Sequence, residues 1–128
     1  MANVPDDLRY TAEHEWARAA GAGIVEIGIT DYAQGELGDI VFVNLPKAGE
    51  KFAAHQTFGT IEAVKAVSDL YCPLAGEVVA VNTALDTDPA AVNRAPYADG
   101  WMIKLKLDDP TQLGSLMDAA GYRSHIGA

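Results

Sequence analysis

Lys65 lies in the stretch Ile61-Glu62-Ala63-Val64-Lys65-Ala66-Val67-Ser68-Asp69, between two strand-like runs and with a small or apolar residue on either side. A primary amine on a flexible four-carbon stem can be acylated, which removes its charge and gives the stem a new end group. Three roles compete for such a lysine. A Schiff-base nucleophile needs a pKa depressed by desolvation or a neighbouring cation, but Glu62 and Asp69 are acidic neighbours and favour the protonated form, so an enzyme is disfavoured. A carrier needs only an amine that a modifying enzyme can reach, with room for the acylated arm to visit several active sites afterwards. An unmodified interaction module would use Lys65 as one contact among others.

Other residue types offer less. His14, His55 and His125 have no ligand spacing with the single cysteine, and Glu13 and Glu15 are too few to complete a set, so no structural or catalytic metal is expected. Cys72 has no internal partner and lies in an apolar segment before Pro73, where a small buried side chain is expected rather than a reactive thiol. Gly21 and Gly23 lack the strand-to-helix setting of a phosphate loop and read as turn residues.

The elements that must position Lys65 are mostly strands. Ile24 to Ile29 alternates Val25, Ile27 and Ile29 against Ile24, Glu26 and Gly28, after a hairpin turn at Gly21-Ala22-Gly23. Ile40 to Leu45 is a second strand, ended by Pro46, and Trp101, Ile103, Leu105 and Leu107 alternate with Met102, Lys104 and Lys106 in another. Residues 57–64 and 67–81 pair as a hairpin with Lys65 at or near its tip; without Asn-Gly, a type I turn is the compatible choice. Helices are short and peripheral. One begins at Thr30-Asp31 and ends at Gly38, a second begins at Asp88-Pro89, and a C-terminal helix is capped by Asp109, carries Leu113, Leu116, Met117 and Ala120 on one face, and stops at Gly121. The fold class is mainly β, a sandwich or flattened barrel.

At 128 residues the chain fits a single domain, residues 1–128, with a core that needs no disulfide or metal. Its 18 Asp and Glu against nine Lys and Arg give a net charge of −9, which argues against nucleic acid as a partner; the excess either steers the protein toward basic surfaces or simply maintains solubility. No apolar run approaches the length of a membrane span. The N-terminal MANVPDDL has neither a secretory signal nor a transit-peptide composition, so a cytoplasmic location is expected, or the mitochondrial matrix for a trimmed organellar form.

Glu62, Val64, Lys65, Ala66, Ser68 and Asp69, then Tyr71, Pro73, Gly76, Glu77 and Val78, resemble the lipoate-attachment segment of the glycine cleavage system H-protein family. That pattern reads Glu-Ser-Val-Lys-Ala-x-Ser-Asp, followed by Tyr-x-Pro and Gly-Glu-Val. Ala63 stands where the family usually has Ser, and Cys72 where Ala or Ser is usual; neither departure removes a group the chemistry needs. Tyr10 to Trp16, Gly28 to Gln34, Leu37 to Val43 and Asn93 to Leu107 are similar to further family signatures, so the resemblance spans about residues 8–122.

The resemblance implies a lipoyl-domain-like β sandwich, a covalent lipoate on Lys65, and a non-catalytic carrier, expected to be a monomer. Its partners would be a pyridoxal-phosphate-dependent glycine decarboxylase, a tetrahydrofolate-dependent aminomethyltransferase, a dihydrolipoyl dehydrogenase and a lipoate-attaching enzyme. Glu62 and Gly76 are implied in recognition by the attaching enzyme. Glu15 and Asp69, with Glu13 beside them, are implied as carboxylates of a cleft that docks the loaded arm. The alternatives are an unmodified β-rich interaction module and a biotin-type carrier, although the latter typically shows Met on both sides of its lysine, and here the flanks are Val64 and Ala66.

Overall fold

A computed structural model of the chain describes residues 3–127. Among these residues nine strands form two antiparallel sheets. The larger sheet has the order β1 (Arg9–Tyr10), β2 (Glu15–Ala19), β3 (Ile24–Ile29), β9 (Ile103–Leu107), β8 (Gly76–Val81) and β5 (Lys51–Phe52). The smaller one has the order β4 (Ile40–Asn44), β6 (Thr57–Ala63) and β7 (Val67–Tyr71). This is the mainly β, lipoyl-domain-like architecture expected from the strand pattern and the resemblance.

Alternation decides what faces the core. Val25, Ile27 and Ile29 of β3, Ile103, Leu105 and Leu107 of β9, and Val43 and Ile61 of the smaller sheet are all buried and meet between the sheets. Gly28 is buried as well, because the Trp16 ring lies where a Cβ would project, 2.8 Å away. A second cluster of Val4, Leu8, Tyr10, Trp16, Ala119 and Tyr122 fastens the N-terminal segment to the C-terminal helix. The β2–β3 turn has positive φ at Gly21, Ala22 and Gly23, a conformation that glycine at two of the three positions makes accessible.

The helix α1 (Asp31–Leu37) lies where the sequence places it: Thr30 caps its first turn by accepting from the Ala33 N–H, and Gly38 ends it at φ +84. The second helix, α2 (Ala91–Arg94), starts three residues after Asp88, since Pro89 opens only a turn. Three expectations are corrected. Residues 67–81 are not one strand: Cys72-Pro73-Leu74-Ala75 bends the chain between sheets, so β7 pairs with β6 while β8 pairs with β9 and β5. Pro73 has no N–H to continue a ladder.

The C-terminal helix is also displaced. Asp109 and Pro110 open a 3-10 segment, Pro110–Ser115, which ends before Met117 forms a β-bridge with Tyr10. A new helix, α3 (Ala119–Ile126), then starts with Asp118 accepting from the Gly121 N–H. Gly121 therefore sits in the first turn, and Gly127, in the left-handed conformation, is the stop. Trp101 and Met102 precede β9 rather than belonging to it, and Met102 enters the core.

Candidate functional site

The β6–β7 hairpin projects Lys65 at its tip. The Ala63 N–H donates to the Ala66 carbonyl at 2.7 Å, closing a two-residue loop of Val64 and Lys65. No tip residue has positive φ, which excludes the primed turns and agrees with the type I expectation. The tip is also tied sideways: the Val64 N–H donates to the Asp39 carbonyl at 3.0 Å. Lys65 is exposed, and its stem runs over Gly38 at the end of α1; a Cβ built there would stand 3.1 Å from Lys65 Cε.

Asn93 of α2 braces this corner. Its Nδ2 donates to Gln34 Oε1 at 2.9 Å and the Gly38 carbonyl at 3.0 Å, and its Oδ1 accepts from the Ile40 N–H at 2.9 Å. One side chain thereby holds the end of α1 to the start of β4, and so fixes the Asp39 carbonyl that anchors the tip.

Beside the tip, between α1 and the ends of β2 and β7, is a cleft of about 300 Å³. Ile29, Ala33, Leu37, Ile61 and Leu70 give it apolar walls, while Glu13, Glu15, Glu36 and Asp69 line it with carboxyl groups. The structure thus brings together the three carboxylates named from the sequence, and adds Glu36, which the sequence reading missed. Tyr32 and Glu36 lie at i and i+4 on α1, so a helical-face count from Thr30 would have found both.

The three carboxylates differ in setting. Glu13 and Asp69 are exposed, and Glu13 pairs with His55 at 3.5 Å. Glu15 is 1% exposed; it accepts from Thr11 Oγ1 at 2.8 Å and faces the Tyr71 N–H at 3.5 Å. Burial in this setting pushes its carboxyl up to about 8, against the pull of the Thr11 hydroxyl and the Tyr71 N–H, so Glu15 favours its protonated form at neutral pH.

His14 stands at φ +73 at the cleft wall; its Nδ1 lies 2.8 Å from the Tyr122 hydroxyl, which lies 2.7 Å from Thr30 Oγ1. This chain connects the β1–β2 turn, the α1 cap and α3. Burial, with His125 nearby, holds the His14 imidazole below its ordinary pKa.

Glu62 and Gly76 are not brought together. Glu62 is exposed on the outer face of the smaller sheet, between Phe42 of β4 and Val67 of β7. Gly76 is buried in the larger sheet, where a Cβ would meet the Lys106 carbonyl at 2.5 Å and Leu105 Cγ at 2.9 Å. Cys72 is fully buried, with its thiol donating to the Leu74 carbonyl, and burial pushes the thiol up to about 11. Among the described residues no group of three or more His, Cys, Asp and Glu side chains is placed to hold a metal ion, and no helix is long and apolar enough to cross a membrane.

A two-sheet β sandwich that presents one lysine on a hairpin tip beside a cleft defines the class of lipoyl-domain-like folds. Residues 8–127 match the family model described as "Glycine cleavage H-protein", and the chain belongs to that family. It is 57% identical over 127 residues to the glycine cleavage system H protein of Opitutus terrae, covering 99% of this chain and 100% of that one. With the H protein of Chlorobium limicola it shares 54% over 126 residues, 98% of each chain. The crystal structure of a glycine cleavage system H protein from Mycobacterium marinum superposes with a TM-score of 0.88 at 39% identity, covering 98% of this chain and 100% of that one.

Proposed function

We propose that this protein is the lipoyl carrier of a glycine cleavage system, with lipoate joined in amide linkage to Lys65. The observation that carries this reading is the exposed primary amine on a braced two-residue hairpin tip, beside a cleft with apolar walls and acidic lining, in a chain of this family. These residues fit the group: the amine is accessible, the far end of its stem lies over Gly38, the residue after Leu37 of the cleft, and the apolar wall offers a surface for a hydrocarbon arm.

When attached, lipoate supplies a dithiolane that carries the aminomethyl unit of glycine from a pyridoxal-phosphate-dependent decarboxylase to a tetrahydrofolate-dependent transferase, and a dihydrolipoyl dehydrogenase restores its disulfide. The protein contributes tethering and shelter rather than catalysis. Lys65 gives the arm its pivot and a high effective concentration at each partner. Ala33, Leu37, Ile61 and Leu70 exclude water from whatever lies in the cleft, and Glu15, Asp69 and Glu13 offer charge to a cationic amine there. A cation seated beside Glu15 favours its ionised form, so docking near neutral pH releases a proton from that carboxyl.

Glu62 is the surface contact for the attaching enzyme. Gly76 acts on the tip only through the backbone, because it lies in the other sheet. The single buried cysteine suits a reducing cytoplasm, and a single-domain monomer suits a shuttle. Lys65→Arg keeps the positive charge but lacks an acylatable primary amine. Intact-protein mass after expression with lipoate should show the lipoyl increment in the parent and none in Lys65→Arg; an increment retained by Lys65→Arg rules out the assignment.

A further inference from the structure

Among the described residues four polar side chains are buried, Thr11, Glu15, Thr30 and Asn82. Three of them are fully engaged: Thr11 donates to one oxygen of Glu15, the Tyr71 N–H faces the other, and Thr30 meets the Tyr122 hydroxyl and the Ala33 N–H. Asn82 is not. It follows β8, is 7% exposed, and uses its Nδ2 to donate to the Asp99 carbonyl at 2.8 Å and the Trp101 carbonyl at 2.7 Å. Carbonyls only accept, so the amide can be oriented one way, and Oδ1 is left with no donor among the described residues. No side-chain oxygen or nitrogen there is both unpaired and sealed from solvent, so Oδ1 is reachable, and Asn82 lines a pocket of about 240 Å³. A buried acceptor that a guest can reach calls for a donor.

The rest of the lining chooses the guest. Arg94 gives Nη1 and Nη2 to Asp88, and its other N–H groups have no partner among the described residues. Asp99 is exposed, and its carboxylate joins no ion pair there. Lys104 Nζ stands 5.3 Å from the centre of the Trp101 ring, another wall of the pocket. A simple cation would suit Asp99 and Asn82 Oδ1 but would meet Arg94 and Lys104. A simple anion would suit those two bases but would meet Asp88, Asp99 and an acceptor oxygen. Two carboxylates against two bases leave no net charge, so a guest with one charge of each sign is preferred to either. Its ammonium donates to Asn82 Oδ1 and Asp99, and its carboxylate takes the remaining N–H groups of Arg94. The Trp101 ring and the methyls of Ala84 and Ala91 offer an apolar wall to a small side chain.

We propose that this pocket binds a small apolar α-amino acid as its zwitterion, with Asn82 Oδ1 and Asp99 holding the ammonium and Arg94 the carboxylate. The site lies apart from the cleft beside Lys65, with which it shares no lining residue. It nevertheless shares a helix with the carrier tip, because α2 presents Ala91 and Arg94 to the pocket and Asn93 to the Gly38 corner.

The test titrates the full, unlipoylated, isotope-labelled chain at pH 7 and fixed ionic strength, following the Asn82 side-chain amide and the Trp101 indole N–H by NMR. Its outcome does not depend on lipoylation, so it stands or falls separately from the carrier reading. Three probes are matched in shape: L-valine, isobutylammonium, which lacks the carboxylate, and isovalerate, which lacks the ammonium. L-Valine should shift both signals saturably with a Kd on the order of 1 mM, and the two singly charged probes should bind at least about tenfold more weakly. Asp99→Asn and Arg94→Gln each remove one charge from an exposed position, so folding is secure, and each should weaken L-valine about fivefold or more. Shifts that stay linear with L-valine concentration overturn the proposal. So does equal binding of isobutylammonium or isovalerate, or parent affinity in either variant.

Discussion

Glu15 holds a carboxyl group at 1% exposure, between the Thr11 hydroxyl and the Tyr71 N–H, and burial raises its pKa from 4.5 to about 8. The folded protein therefore keeps a proton that the unfolded chain releases. The stability linked to that proton is fully present below the unfolded value and is lost as pH rises through about 8. His14 works the other way: its folded pKa is depressed, so stability linked to it is lost as pH falls below its ordinary 6.5. Above 6.5 the Glu15 effect stands alone of the two. Glu15→Gln keeps the shape but cannot titrate. Urea unfolding between pH 6.5 and 8 should show the parent losing stability relative to Glu15→Gln, by up to about 1.4 kcal/mol per pH unit. Parallel profiles for the two proteins would mean that Glu15 titrates like an exposed carboxylate. The motif around Glu15 is visible in the sequence, but its burial is not. Tyr71 is 56 residues away, and only the packing of β2 against the end of β7 closes that site.

The elements nearest Lys65 were legible because each carries its own local chemistry. Thr30 and Gly38 bound α1, alternation marks β3, β4 and β9, and the run on both sides of Lys65 reads as strand. Two of the misplacements share a cause. Pro73 lies inside an apolar run whose β propensity continues on both sides, and the face formed by Leu113, Leu116 and Met117 is interrupted by a bridge to Tyr10 that only tertiary structure supplies. Asn93 was not legible at all, since its three hydrogen bonds reach residues 53 to 59 positions away. Asn93→Ala leaves the Ile40 N–H and the Gly38 carbonyl without that partner and should cost about 1–3 kcal/mol of global stability. A more specific effect follows from the geometry. With the Asp39 carbonyl no longer held, the Val64 N–H at the tip should exchange with solvent faster, while amides in β9 slow or quicken only as global stability dictates. Equal protection of Val64 in parent and variant, after correction for global stability, would show that Asn93 does not brace the tip.

At the scale of the whole molecule, 18 acidic side chains face nine basic ones, and the only cation–carboxylate contacts among the described residues are Arg18–Glu26, Arg94–Asp88, Arg123–Asp6 and the His55–Glu13 pair. Arg94–Asp88 and Arg123–Asp6 are exposed enough that each contributes little. Most carboxylates therefore repel one another without compensation, and Glu36 and Asp69 do so across a single cleft. The unfolded chain carries the same charges at larger separations, so net repulsion weighs on the folded state more heavily. Raising ionic strength shortens the Debye length from about 30 Å at 0.01 M to about 8 Å at 0.15 M, which screens this long-range repulsion more than it weakens close pairs. Thermal unfolding at pH 7 should accordingly move up by a few degrees between 0.01 M and 0.15 M sodium chloride. The same screening should slow association with a basic partner, so that stability and docking rate respond to salt in opposite directions. A Tm that falls over that range would mean that the surface pairs outweigh the repulsion, and that the acidic excess is not what limits the folded state.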